Sequence, residues 1–109
     1  MGHRVAVAQT AICSTGTHTY VYTHPFDVQA SRIGIIAAEL DSGTQTGVVT
    51  FEYGEDLAGC TEIHRSSLTA ASPGTSINPN FVIHPGQVIR IIFSNVTSGD
   101  RVKLFIGGH

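Results

Sequence analysis

Val88-Ile89-Arg90-Ile91-Ile92-Phe93-Ser94, then Asn95-Val96-Thr97-Ser98-Gly99-Asp100, then Arg101-Val102-Lys103-Leu104-Phe105-Ile106: this stretch decides the fold class. Ile89, Ile91 and Phe93 fall on one face of an extended chain. So do Val102, Leu104 and Ile106. A period of two with β-branched residues reads as half-buried strand, because the stiff Val and Ile side chains pack well on a pleated surface. The polar stretch from Asn95 to Asp100 turns the chain, so the two runs are expected to close a hairpin.

The same reading extends outward. Strands are expected over 4–12, 17–23, 32–39, 48–53, 81–84 and 88–94, with a continuation at 26–30 after the His24-Pro25 break and another strand within 61–71. Turn chemistry separates them: Asp41 to Gly47, and His84-Pro85-Gly86-Gln87, where Pro presets one φ and Gly tolerates a positive one. Residues 72–80, Ser-Pro-Gly-Thr-Ser-Ile-Asn-Pro-Asn, read as an exposed loop or arm. No window carries a helical period. The expectation is all-β: a single antiparallel β-sandwich domain over 1–109 of about eight strands, jelly-roll or immunoglobulin-like.

The chain has 109 residues, of which 41% are apolar and only 13% charged, about half the usual share. The formal charge is −2. With no basic excess to neutralise phosphates, nucleic acid is not an expected partner. No long apolar run exists, so no membrane span is expected. The N-terminal apolar residues alternate and are interrupted by Gln9 and Thr10, which fits a strand rather than a signal peptide. The Asn95-Val96-Thr97 sequon sits where turn residues are expected anyway.

Cys13 and Cys60 permit one disulfide or two free thiols. Six histidines (His3, His18, His24, His64, His84, His109) invite a metal reading, with Cys13, His18, Cys60 and His64 as the conceivable donors. On strands, Cys60 and His64 share a face but Cys13 and His18 do not, and no short Cys-x₂₋₄-Cys knuckle is present. No His-x-His pair offers a cupin-type site. Copper would need a cysteine and an axial ligand near the C-terminus, and no cysteine follows position 60. There is no Gly-x-Ser-x-Gly elbow. Glu52, Glu55, Asp56 and Glu62 cluster around a turn, where carboxylates are ordinarily just solvated. No catalytic residue, metal or cofactor is expected, and the chain reads as a non-enzyme.

So few charges on a β-built surface fit a domain covered by neighbouring chains. In this all-β pattern, its near-neutral Thr/Ser/Gly-rich composition and its turn-rich loops, the chain resembles the small decoration or cement proteins of tailed-phage capsids. That resemblance implies a virion structural protein on the capsid exterior, made in the host cytoplasm. It would bind and bridge major capsid protein subunits, copies of itself (dimer or trimer), or both. Expected contact residues are His3, Val5 and Val7 of the N-terminal strand, Pro73, Ile77, Asn78 and Pro79 of the 72–80 loop, and His109. The alternative is a carbohydrate-binding or host-adhesion module of a tail or surface protein, with Tyr20, Tyr22 and Tyr53 as a glycan platform. Against it stands the plainer reading that these rings pack on the opposite sheet.

Overall fold

A computed structural model describes residues 4–108. It holds strands β1 (Ala6–Ile12), β2 (Thr17–Thr23), β3 (Ser31–Ser42), β4 (Gly47–Gly54), β5 (Thr61–Leu68), β6 (Gly74–Ile77), β7 (Phe81–Ile83), β8 (Val88–Ser94) and β9 (Arg101–Gly108). Among the described residues there is no helix. One sheet has the order β1-β9-β3-β6, with β7 also on β3; the other has β2-β8-β4-β5. Every pairing is antiparallel. Because β6 pairs with Ile36–Glu39 and β7 with Ser31–Ile33 of the same strand, the two act as one interrupted strand. Eight strands in the order 1-9-3-6 and 2-8-4-5 are the two nested Greek keys of a jelly roll. In an immunoglobulin sandwich the first two strands would pair; here β1 pairs with β9, in the other sheet from β2.

Alternation predicts the inner faces well. Ile89, Ile91 and Phe93 are fully buried, and Val102, Leu104 and Ile106 nearly or fully so. They meet Ile33, Ile36, Ala38 and Leu40 of β3 and Val49 and Phe51 of β4 in one core. The inward set on β3 changes parity between Ile33 and Ile36, where a register shift against β9 inserts an extra residue. Each of the Val, Leu, Ile and Phe side chains in this core contributes about 1.5–3 kcal/mol on burial.

Three expectations about connectivity are corrected. The runs 88–94 and 101–106 do not form a hairpin: β8 and β9 lie in different sheets, and residues 95–100 carry the chain across the sandwich. Residues 26–30 are not a strand but a turn and coil, because His24 is fixed to the β7–β8 turn and the chain must then reverse into β3. Residues 72–80 are not a free arm: Gly74–Ile77 hydrogen-bond to β3, and the strand in 61–71 stops at Leu68.

Each end of the sandwich is tied by a buried polar group. At one end the Asp100 carboxylate accepts bonds from Thr44 N (3.0 Å), Thr44 Oγ1 (2.9 Å) and Thr97 N (3.0 Å), joining the β3–β4 and β8–β9 crossings. Gly43, at φ +103°, passes so close that any Cβ would collide with this carboxylate. At the other end His24 N donates to Gln87 O (2.9 Å) and Gly86 N to His24 O (2.8 Å). The His24 ring is fully buried, with Nε2 2.6 Å from Gln29 O and Nδ1 2.8 Å from Tyr22 Oη. A carbonyl only accepts, so Nε2 carries the proton and Nδ1 receives the tyrosine hydroxyl.

The backbone N–H of Thr44 above all, with Thr97 N–H and the Thr44 hydroxyl, holds the Asp100 carboxyl below the usual carboxylate range. A carboxyl made more acidic by folding stabilises the fold above its open-chain value near about pH 4, and that stability is lost as pH falls through the lower, folded value. Urea denaturation of wild type and Asp100→Asn should therefore show a large gap at pH 7 that narrows steadily below pH 4. A gap independent of pH contradicts this role for the ionised carboxylate.

Candidate functional site

The expected contact residues separate once the strands are placed. His3 and His109 lie outside the described residues. Val5 is buried in the core and Val7 packs partly against it, so neither side chain is offered to a partner. Ile77 also packs on the core from β6. Pro73 and Pro79 are half-buried, and Pro73 O accepts Leu40 N at 2.9 Å; Asn78 is exposed. Among the described members of that set, only Asn78 is openly displayed.

The three tyrosines face inward and do not make an exposed platform. Tyr20, Tyr22 and Tyr53 are partly buried against the core. The Tyr22 hydroxyl is committed to His24, and the Tyr53 hydroxyl to Gln87 Oε1 at 2.7 Å and Val82 O at 3.2 Å. Burial raises the pKa of all three phenols.

The conceivable metal donors are divided by the topology. Cys13 follows β1 and hydrogen-bonds with Asp100 at the crossing end, whereas Cys60 sits by the β4–β5 turn at the opposite end. Both are free thiols. His64 instead pairs with Thr75 Oγ1 (3.0 Å), joining β5 to β6. Among the described residues no three His, Cys, Asp or Glu side chains gather in metal-binding array. The turn carboxylates have structural partners: Glu52 with Arg90, Glu62 with Arg65 at 2.8 Å, Glu55 with Gln87 Nε2 at 2.7 Å, and Asp56 with Gly59 N at 2.7 Å.

What the fold does assemble is a pair of edges. The strand orders leave four: β1 and β2 along one side of the sandwich, β6/β7 and β5 along the other. The second side is defended. β5 carries Glu62 and Arg65 and a register shift against β4. The β6/β7 edge is four residues and then three, broken by Asn78-Pro79-Asn80, with Asn80 at φ +54°. Charge, bulges, proline and shortness are the standard means of preventing edge-to-edge pairing. The first side has none of them. β1 (AVAQTAI) and β2 (THTYVYT) are each seven residues, without Asp, Glu, Lys, Arg or Pro and without a register shift in their one pairing. Each therefore presents an unbroken line of backbone donors and acceptors. Sequence reading had no means of seeing this, since composition marks an edge only when the strand order is known.

No protein-family model and no curated protein matches the chain. Among solved structures it is similar to the mitogen derived from Yersinia pseudotuberculosis, with TM-score 0.55 and 16% identity over 100% of this chain and 88% of that one. It is also similar to PirA, with TM-score 0.52 and 12% identity over 95% and 93%. A nora virus structure matches with TM-score 0.54 and 11% identity over 96% of this chain; the chain spans about half, 54%, of that one. At such identities the likeness is one of fold. The β-sandwich is thus shared by proteins with different roles, and function must be argued from this chain's own surface.

The thiols give a direct check on the placement of the two ends. Burial raises the pKa of both, with Asp100 adding to it at Cys13. Cys13 is inaccessible and Cys60 half-exposed. Native protein treated with a maleimide at neutral pH should be labelled at Cys60 alone, slowly, and at Cys13 only on unfolding, as read by peptide mass spectrometry. A cross-linked Cys13–Cys60 peptide would contradict the structure.

Proposed function

We propose that the chain is a non-catalytic jelly-roll module of a virus particle, a capsid decoration protein held on the shell exterior through its β1/β2 side. The observation that carries this reading is the contrast between the two sides of the sandwich: one protected on both edges, the other bare on both. A bare, uncharged edge in a free monomer invites association; covered by a neighbour, it becomes a binding element. The scarcity of charge, 13% of residues, fits the same use. The fold, which a nora virus structure also contains, is compatible with it.

The mechanism is linkage. A coat subunit, or a second copy of this chain, supplies a strand beside β1 or β2, and main-chain hydrogen bonds give affinity while outward side chains such as Thr19 and Val21 set the register. A copy that spans neighbouring capsid subunits binds only the assembled shell, so its binding free energy stabilises that state by mass action. Two modest contacts on one rigid domain reinforce each other through effective concentration.

The test is co-sedimentation. Particles stripped of the protein are re-incubated with wild type or with Thr19→Lys/Val21→Lys, whose lysines stand on the outer face of the β2 edge. Exposed substitutions of this kind move stability by only about 0.5 kcal/mol, so the variant should fold normally. Its particle binding should fall at least about tenfold. Equal binding by the variant overturns the edge mechanism. A wild-type protein that stays monomeric at high concentration and sediments with no particle overturns the proposed function.

A further inference from the structure

The edge strand β2 contains a stretch that reads the same in both directions. Thr19-Tyr20-Val21-Tyr22-Thr23 is a palindrome centred on Val21. Among the described residues no strand lies beyond it. Bonds at the two ends of β2 show which of its backbone groups are open. His24 N donates to Gln87 O (2.9 Å), and Val96 N to Gly16 O (3.2 Å). Both bonds continue the β2–β8 pairing, so the even-numbered residues from 16 to 24 turn N–H and C=O toward β8. In an antiparallel ladder these directions alternate along the strand. Thr17, Thr19, Val21 and Thr23 therefore turn theirs outward.

Two features bound that outward line. The Thr15 hydroxyl accepts Thr17 N–H (3.4 Å) and donates to Thr17 O (2.9 Å), so the first outward residue is closed off locally. Past the other end stands Pro25, which has no N–H to offer. What stays open is Thr19, Val21 and Thr23, all exposed. Their midpoint is Val21, which is also the midpoint of the palindrome.

We propose that β2 pairs with β2 of a second copy of this chain, antiparallel, about a two-fold axis through Val21. This rests on the edge reading above and deepens it by naming the neighbour at β2. Thr19 exchanges N–H and C=O bonds with Thr23 of the second copy, Val21 with Val21, and Thr23 with Thr19, so every open group of the palindrome is used. The side chains then meet in kind: threonine opposite threonine, valine opposite valine, and Tyr20 opposite Tyr22 on the inner side. Thr–Thr and aromatic pairs are among those that stabilise facing strands, and no like charges oppose one another. A foreign strand would have to reproduce this order, whereas a second copy supplies it by symmetry. β1 (Ala-Val-Ala-Gln-Thr-Ala-Ile) has no such symmetry. Five residues a side fall far short of the roughly 20–30 of a standard interface. The dilute chain is therefore monomeric, and it pairs when concentrated or when copies are held close together on a shell.

The experiment is sedimentation equilibrium of the whole chain between about 10 μM and about 1 mM, together with cross-linking. Wild type should pass from monomer to dimer. Val21→Pro removes an outward N–H and none that bonds β8, so it should keep the fold and raise the dimer Kd at least about tenfold. Cross-linking keeps the test decisive if that variant unfolds. In a Cys60→Ser background, Val21→Cys should be captured as a disulfide dimer on mild oxidation, because facing Cα atoms of a hydrogen-bonded pair lie about 5.5 Å apart. Thr19→Cys, just as exposed but four residues out of register with its own copy, should not be captured. No dimer at about 1 mM, a dimer indifferent to a folded Val21→Pro, or capture of Thr19→Cys as readily as Val21→Cys overturns the pairing. A monomer that still sediments with particles overturns the pairing alone. A dimer that passes these tests but sediments with no particle upholds the pairing and counts against the decoration role.

Discussion

A β-strand at the margin of a sheet has backbone N–H and C=O groups pointing away from the sheet, and they must find partners in water or in another chain. A two-sheet sandwich cannot remove its margins as a closed barrel does. The jelly-roll order places β1 over β2 on one side and β6 over β5 on the other, and treats the two sides differently. The β5/β6 side is sealed internally by the His64–Thr75 bond and externally by Glu62, Arg65 and the Asn-Pro-Asn break. The β1/β2 side keeps its hydrogen-bonding lines continuous. The proposed function grows from that asymmetry, because it says where a neighbour fits and where it is refused.

The bare side is supported by the rest of the molecule. β1 rests on β9 and β2 on β8, and those inner strands bury Ile89, Ile91, Phe93, Val102, Leu104 and Ile106. Asp100 locks one end of the sandwich and His24 the other, so the two edge strands are held in place by rigid neighbours. Presenting a strand in a fixed position lowers the ordering cost a partner must overcome.

Much of the fold was legible in the sequence, for a definite reason. Alternation is a local property, and Ile89-x-Ile91-x-Phe93 or Val49-x-Phe51 declares its inner face without knowledge of any partner. Pairing is not local. The stretch from Val88 to Ile106 has the pattern of a hairpin, and only the need to cover two sheets sends β9 away from β8. Gly74–Ile77 looks like loop because prolines flank it, yet a short strand on a free margin of β3 tolerates prolines on either side. Tyr20 and Tyr22 share a face as expected; which face depends on what β2 lies against, and it lies against β8 with its tyrosines inward. The candidate sites were the least legible part. Edges exist only in the assembled strand order.

Hydrogen exchange at the backbone of β1 and β2 measures the central claim most directly, because it reads the groups on which everything turns. In the isolated chain, alternate amides of both strands should exchange rapidly while those of β8 and β9 stay protected. On the particle, the fast amides of at least one of the two edges should become as slow as the core. Edge amides that are already protected in the free chain, or that remain fast in the bound one while protection appears elsewhere, contradict the account.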